Sequence, residues 1–509
     1  MMSNLLKLSK SPEFLRVFSN YIRMFMTFSM GLIIVRILLD KSQEIFSIYT
    51  LITVGMGIGI MLKELLRIAI VPRLSAKFRE ADDDFIAVFT SCILASLGLA
   101  FIGVIITLIF LANINYFAVT DEQLFPATIF ILCRAFQIFI SLALSPFIVL
   151  LPIMRKYVAS NIFLTFERAS DFFAIIVAIF VINSSNTDIL ILIGLIGSIL
   201  LTTLYCLTSI IIFRSNKKFR FKFSRQALQE MWGTGHFVGW TAVLVISVNL
   251  FLRFDLIWIN ITAGVFGTAV FGIVIQSIGM MRQLTYGIIQ GLDAAFAFLK
   301  FSDDNKDGAF KKLLYVSSYL QGIIGFAAYG VIFFAGHQIL QYWLGPQALD
   351  TGIVDAAYHL ILICSAGILI TSFAEVWTNA LNGMGHISQY APWLVPSALA
   401  NPILLILSTA FVSLMPSYEM AAWLYFILLF ISYGIFVPKV MSKVCNMTFM
   451  ELISPFKIPF IVMLLCALMV MVILNLFTIM HLPKVLLVIF TFGLGFALSL
   501  YFLSKKFSI

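Results

Sequence analysis

The stretch Arg214–Arg225, RSNKKFRFKFSR, places six cations within twelve residues and contains no acid. It lies between two long apolar halves of a 509-residue chain. A run this basic cannot enter the hydrocarbon core of a bilayer. It reads as a loop between membrane-spanning segments, and loops rich in Lys and Arg stay on the cytoplasmic side. Working outward from it, the apolar runs give six spans before the loop, six after it and one further pair.

The spans before the loop read as Val17–Leu39, Ile45–Val71, Phe85–Ala112, Leu124–Leu151, Tyr157–Ile182 and Ile189–Phe213. Those after it read as Trp232–Ile259, Val265–Leu292, Leu313–Ala335, Ile353–Leu381, Ile387–Leu414 and Met420–Val437, followed by Ile458–Phe477 and Val485–Leu503. The predicted fold class is therefore an all-α polytopic membrane protein of about fourteen transmembrane helices, in two six-helix lobes plus a C-terminal pair. The corresponding boundaries are 1–213, a basic linker at 214–231, 232–444 and 445–509. An even number of spans puts both termini in the cytoplasm.

Composition supports the same class. Hydrophobic residues make up 61% of the chain and charged residues 11%, with a mean hydropathy of +1.05, and a soluble fold could not cover that much apolar surface. Of 33 Lys and Arg, only Lys41 and Lys484 fall on the outer side in this register and eight lie within spans. The bias along the loops explains the net charge of +9 without a nucleic-acid partner. The longest outer loop, Gly336–Gly352, is too short for a soluble domain, so activity is expected within the bilayer.

Six cysteines are scattered without a CxxC pair. The chain has no Gly-Lys dipeptide and so no phosphate-cradling loop for ATP, and it has no HExxH or other metal-ligand spacing. The expectation is a protein without cofactor or metal, not an enzyme. A membrane glycan polymerase or ligase, the enzymatic alternative, would be expected to present catalytic groups on a sizeable outer loop. His386 is the one histidine placed on a polar stripe.

A charge at membrane depth costs about 3 kcal/mol on insertion scales, so each one requires a reason. The spans contain the cations Arg23, Arg36, Lys63, Arg67, Arg134, Arg168, Arg253 and Arg282 and, beyond their first turns, the acids Glu64, Glu167, Asp171, Asp255 and Glu375. Helical spacing pairs Arg36 with Asp40, Glu64 with Arg67, and Arg168 with Asp171. Arg23, Arg134, Arg253 and Arg282 have no acid one turn away on their own helix. Several of these residues also belong to polar stripes: Arg16, Asn20, Arg23 and Thr27; Arg134, Gln137, Ser141 and Ser145; Asn161, Thr165 and Arg168; Asn249 and Arg253; Gln276, Gln283 and Gln290; and Glu375, Asn379, Asn382 and His386. Single stripes of this kind serve interhelical hydrogen bonding. Six of them on helices of both halves predict a water-filled, cationic cavity.

The outer turn Leu38-Leu39-Asp40, the following Ile45-Phe46-Ser47-Ile48-Tyr49 and the span ending in Val71-Pro72-Arg73-Leu74-Ser75 resemble the multidrug/oligosaccharidyl-lipid/polysaccharide (MOP) exporter superfamily, in particular its Wzx-type flippases. Asp40 and Ile45 stand where members often carry glycine. Placing Phe46 on Phe266 aligns Gly59 with Gly279, in keeping with a duplicated half. The resemblance implies a monomeric alternating-access transporter of the inner membrane with spans one, two, seven and eight lining the cavity.

Its implied substrate is an anionic, polyprenyl-pyrophosphate-linked glycan such as an O-antigen repeat unit, alongside membrane lipids and, as partners, a glycan polymerase and other assembly proteins. Arg23, Arg253, Arg282, Arg134, Asn20, Asn249, Gln276 and Gln283 are the candidate substrate contacts, and Asp255, Glu375 and Asp171 the candidate ion-coupling acids. The driving force would be a proton or sodium gradient or the membrane potential. A lipid-linked peptidoglycan precursor flippase and an ion-coupled multidrug antiporter are the alternatives within the superfamily, and the antiporter would require a net acidic cavity.

Overall fold

The computed structural model describes residues 12–55, 82–154, 156–182, 188–215, 225–289, 292–301, 306–411, 415–476 and 481–507, together with Lys222, Ser224 and scattered residues between 57 and 78. Within the helix that begins at Arg225, side chains are described from Arg253 onward. All regular structure among these residues is helical. The chain divides into two compact units, Met1–Asn249 with Asn260–Thr268, and Leu250–Ile259 with Ala269–Ile509.

In the first unit, α1 (Pro12–Lys41) ends where Ser42 takes an extended backbone and its hydroxyl accepts the Glu44 N–H at 3.2 Å. This cap starts α2 (Gln43–Thr50), which continues into a π-helical turn at Leu51–Gly55. Arg36 donates to Asp40 at 2.7 Å on the last turns of α1, the pairing that the spacing predicts. Helix α3 (Asp82–Ala112) is followed by α4 (Asp121–Ala143) and α5 (Ser145–Ile153). The fourth span is thus two helices. Pro146 has no N–H to return to the preceding turn, so the helix breaks at Leu144 and restarts. Helix α6 (Tyr157–Ile176) widens into a π-helical turn at Val177–Val181, and α7 is Ile189–Ser215. Helices α3, α4 and α7 pack in sequence, and α6 lies against α1 and α7. Leu62, Leu66, Phe85, Phe89, Phe163 and Tyr205 form part of their shared core.

Helix α8 (Arg225–Ile289) bends sharply at Gly264, whose φ of +65° belongs to the left-handed region that glycine enters without a Cβ clash. The bend separates the seventh and eighth spans of the sequence reading. In the first unit, Asn260 accepts the Ala118 N–H at 2.9 Å and donates to Thr268 Oγ1 at 2.9 Å.

The second unit contains α9 (Leu292–Phe301), α10 (Lys306–Leu344), α11 (Pro346–Asp350), α12 (Ile353–Gly383), α13 (Ile387–Phe411) and α14 (Ser417–Leu429). A π-helical segment, Phe430–Phe436, joins α14 to α15 (Val437–Cys445). The chain ends with α16 (Phe449–Ile453), α17 (Lys457–Leu476) and α18 (His481–Phe507). The predicted outer loop Gly336–Gly352 is largely helix, because α10 continues to Leu344 and α11 fills most of the remainder. At 39 residues, α10 is about twice the length a bilayer requires. Pro392, Pro396 and Pro402 all lie inside α13.

Helix α10 packs against α12, α17 and α18. Its Tyr319 hydroxyl donates to the Ser499 carbonyl at 2.9 Å. A methyl group at Gly330 would come within 2.2 Å of the Phe492 ring, so the absence of a side chain there leaves the slot that the ring occupies.

Eleven helices among the described residues are long and apolar enough to cross a bilayer. Large apolar side chains on their outer faces are exposed, among them Phe25, Phe101, Ile199 and Phe490. Three spans of the sequence reading are not among the eleven. Span 45–71 falls largely outside the described residues. The side chains of span 232–259 are described only from Arg253. Span 157–182 is helical but carries Glu167, Arg168 and Asp171 in one stretch.

Ser215 and Gln347 are both exposed, and in the sequence reading they follow six and nine spans respectively. In a variant lacking the native cysteines, single cysteines at these positions are expected to react with an impermeant maleimide from opposite faces of intact cells. Labelling from the same face would contradict the fourteen-span topology.

Candidate functional site

The membrane-depth charges form separate constellations in the two units. In the first unit they converge on α6. The Arg134 guanidinium on α4 donates from Nη1 and Nη2 to the two Asp171 oxygens, each at 3.0 Å, in a two-pronged ion pair. Arg134 Nη1 also donates to Gln137 at 2.7 Å, and Gln137 Nε2 donates to Ser198 Oγ on α7 at 3.1 Å. The guanidinium lies over Phe130, 4.9 Å from the ring centre, and Phe130 stacks on Tyr49. A methyl group at Gly197 would approach Gln137 Nε2 to 3.2 Å and Asp171 to 3.5 Å, so this glycine on α7 makes room for the pair.

One turn earlier on α6, Glu167 pairs with Lys63 and accepts the Tyr205 hydroxyl at 2.8 Å. These contacts correct the sequence reading at two points. Asp171 bonds Arg134 rather than Arg168, which is exposed, and Arg134 is not an unpaired cation. Two parallel hydrogen bonds in a largely buried setting outweigh one i,i+3 contact at the surface of a helix. Side-chain exposures of 14% and 25% leave the pair largely enclosed.

On α1, Arg23 Nη2 donates to Asn20 Oδ1 at 2.6 Å and Thr27 donates to the Arg23 carbonyl at 2.9 Å. The predicted stripe therefore exists as a network on one helix, with Asn20 buried. Asn161 of α6 joins it by donating to Ser19 at 2.8 Å. Arg16, Asn249, Glu64, Arg67 and Gln290 lie outside the residues whose side chains are described.

In the second unit, Arg282 of α8 meets Glu375 of α12 through a single contact, Nε to Oε1 at 3.3 Å. The arginine side chain is 49% exposed and that of Glu375 11%. Sequence spacing left both residues without partners because they lie on different helices. Their union uses only Nε, and neither terminal nitrogen of Arg282 has a hydrogen-bond partner among the described residues. Glu375 Oε2 is buried, also without a partner among them. Tyr433, in the π-helical segment, and Tyr425, on α14, are within electrostatic reach of Arg282.

Gln276 is partly buried and Gln283 exposed on the same stretch of α8, while Arg253 is partly buried. Asn379 donates to the Glu375 carbonyl at 2.7 Å, and Asn382 accepts the Tyr390 hydroxyl at 2.6 Å. The tenth-span stripe is thus partly absorbed by its own helix and by α13. His386 contacts Gln389 at 3.1 Å.

Asp255 is fully buried on α8. It accepts from Asn401 Nδ2 of α13 at 2.6 Å, and its second oxygen has no hydrogen-bond partner among the described residues. Asn401 belongs to none of the predicted stripes. The signal was an amide in the middle of an apolar span, directly before Pro402, where a polar group needs a partner on another helix. Among the described residues no group of His, Cys, Asp and Glu could hold a metal ion through three side chains.

The fold is that of the MOP-superfamily transporters. The chain is similar to the lipid II flippase MurJ in an inward closed conformation, at 13% identity and a TM-score of 0.69, covering 97% of this chain and 100% of that one. It is similar to a MOP superfamily transporter from Pyrococcus furiosus at 12% identity and a TM-score of 0.59, covering 87% and 98% of the two chains. The eukaryotic MATE transporter AtDTX14 gives 11% identity and a TM-score of 0.62, with 90% and 99% covered. No family model matches the sequence, and no curated protein matches it. The chain is accordingly a multi-pass membrane protein with a transporter fold.

Arg134→Leu leaves Asp171 without its cation and is expected to reduce the unfolding free energy by about 3 kcal/mol, seen as an earlier thermal transition in detergent. The double variant Arg134→Leu/Asp171→Leu should recover most of that loss. Equal losses in the single and double variants would mean that the ion pair contributes nothing beyond packing.

Proposed function

We propose that this protein is a MOP-superfamily flippase that moves a glycan linked to a polyprenyl pyrophosphate from the cytoplasmic to the outer leaflet of the cell's inner membrane. It acts as a monomer by alternating access, with both termini cytoplasmic. What supports the reading above all is Arg282: a membrane-depth guanidinium with its paired terminal donors open and its charge only partly answered by one Nε contact. A planar fork of this kind matches a phosphate oxyanion geometrically and keeps its charge in a dry setting. Arg23 and Arg253 are the further cations assigned to the pyrophosphate. Asn20, Asn249, Gln276 and Gln283 are assigned to the sugars, and a polymerase and other assembly proteins would receive the product.

The likeness to a lipid II flippase across nearly the whole chain favours a second reading, in which the cargo is a lipid-linked peptidoglycan precursor. The same arginines would serve it. A multidrug antiporter that takes up cations fits less well, because the accessible membrane-depth charge of the second unit is a guanidinium.

An inside-negative potential favours outward movement of an anion, by about 2.3 kcal/mol per charge at 100 mV, so the potential supplies part of the driving force. Asp255 is the acid assigned to an entering proton or sodium ion, since it is buried and, among the described residues, has one oxygen unsatisfied and an amide as its hydrogen-bond partner.

Arg23→Ala, Arg253→Ala and Arg282→Ala are each expected to reduce flipping about tenfold or more while membrane abundance stays unchanged, with lysine at each site restoring only part of the loss. The measurement is accumulation of lipid-linked glycan on the cytoplasmic side in cells depleted of their own flippase. Normal transport by all three alanine variants would withdraw the pyrophosphate assignment.

A further inference from the structure

The two Arg–acid pairs differ in a way that gives Glu375 a role. In the first unit, Arg134 spends both terminal nitrogens on Asp171 and is largely buried. In the second, Arg282 touches Glu375 only through Nε, at 3.3 Å, while half of its side chain is exposed. Glu375 is the buried member of that pair, and its Oε2 has no partner among the described residues. An anion that draws Arg282 outward therefore removes the one cation that, among the described residues, contacts this nearly buried carboxylate. Such a group does not remain charged in a dry site. It takes a proton.

We propose that Glu375 positions Arg282 and exchanges it for a proton when Arg282 binds a phosphate oxyanion, so that uptake of one proton accompanies binding of the anion. This rests on the assignment of Arg282 to the substrate's pyrophosphate and links substrate charge to the proton: the proton offsets one charge of the anion, so the membrane potential acts on the charge that remains. In the resting state the Arg282 cation balances the Glu375 carboxylate. In the loaded state it balances a phosphate oxygen, and a proton from water occupies a Glu375 oxygen. Charge is conserved around Glu375 in both states, with no redox or covalent step.

The groups that face the exchange are few. Arg282 on α8 and Tyr433 on the π-helical segment are within electrostatic reach of Glu375, and Tyr425 on α14 is within reach of Arg282. The other helices packed on α12, namely α9, α10, α11, α13 and α15, bring no charged group into that reach among the described residues. Tyr433 lies in a wide helical turn of the kind that yields locally and recurs at functional sites. Such a segment can follow a guanidinium that changes partners without disturbing the packed faces of α12 and α14.

The experiment is calorimetric titration of farnesyl pyrophosphate into the full-length protein in lipid nanodiscs, repeated in buffers of different ionisation enthalpy. Inorganic phosphate serves as a second probe that lacks the lipid. The wild type is expected to take up a substantial fraction of a proton, up to about one, per farnesyl pyrophosphate bound. Glu375→Gln should remove that uptake while binding tightens about threefold, the scale of a half-exposed ion pair. Titration with the same probe cancels its own protonation in the comparison. Should Glu375→Gln fail to fold, infrared difference spectra of the wild type supply the second reading, through a protonated-carboxyl band that appears on addition of the anion.

Equal proton uptake in wild type and Glu375→Gln, or no protonated-carboxyl band on binding, overturns the exchange while leaving the anion site standing. Absence of farnesyl pyrophosphate binding by the wild type overturns the anion site itself, and the exchange with it. Equal binding of inorganic phosphate, with the same proton uptake, keeps the exchange and removes any role of the lipid in it.

Discussion

Hydrocarbon tolerates a charge only beside a counter-charge or water, and the way each unit meets that requirement distinguishes the two. In the first unit the acids Glu167 and Asp171 occupy successive turns of α6 and draw Lys63 and Arg134 from neighbouring segments. Two elements are thereby tied to one helix that is itself too charged to count among the apolar spans. Gly197 on α7 lets the backbone come near enough for Gln137 and Ser198 to complete the network. The result is a fixed frame whose ionic donors and acceptors are turned toward one another. In the second unit the corresponding charges are held loosely or by amides alone. Arg282 shares one contact with Glu375, and Asp255 has Asn401. Glu375 Oε2 and Asp255 Oδ2 are both buried there without a hydrogen-bond partner among the described residues.

Much of the architecture could be read from apolar run length and the Lys and Arg bias of the loops. The span predicted at Ile353–Leu381 is helix Ile353–Gly383, and the one predicted at Ile387–Leu414 is described as helix through Phe411. Both run lengths are set by the bilayer, which the sequence records directly. The outer loop at Gly336–Gly352 was misread because Gly336, His337 and Gln338 look like the end of a span. The helix continues past them, since the His337 ring meets Asp355 at 2.7 Å and the Tyr358 hydroxyl bonds the Phe333 carbonyl. Contacts to a second helix keep polar residues helical beyond the membrane edge.

The site was legible as residues and not as partners. Periodicity reports what shares a face of one helix, so Asn20, Arg23 and Thr27 emerged as a unit and are one. It cannot report that Arg134 and Asp171, 37 positions apart, meet across two helices, nor that Asn401 lies 146 positions from its aspartate. Partnerships between helices depend on rotation and crossing angle, which small residues such as Gly197 set at the point of closest approach. A stripe of polar residues thus states that a helix needs a polar neighbour, and leaves open which neighbour provides it.

The ring slot at Gly330 has a bearing on how the chain is made. Helix α10 is synthesised long before the Phe492 ring that fills the slot, and α11 to α17 are made between them. Until α18 is made, the slot at Gly330 has no ring to fill it. The Tyr319 hydroxyl is likewise without the Ser499 carbonyl to which it later donates. Elongation of the polypeptide therefore leaves α10 seated on α12 before its opposite face is closed, and arrival of α18 is the event that completes the second unit. The large residues of α10 in the core it shares with α18, Tyr319 and Phe334 among them, gain their last packing partners when that helix is in place.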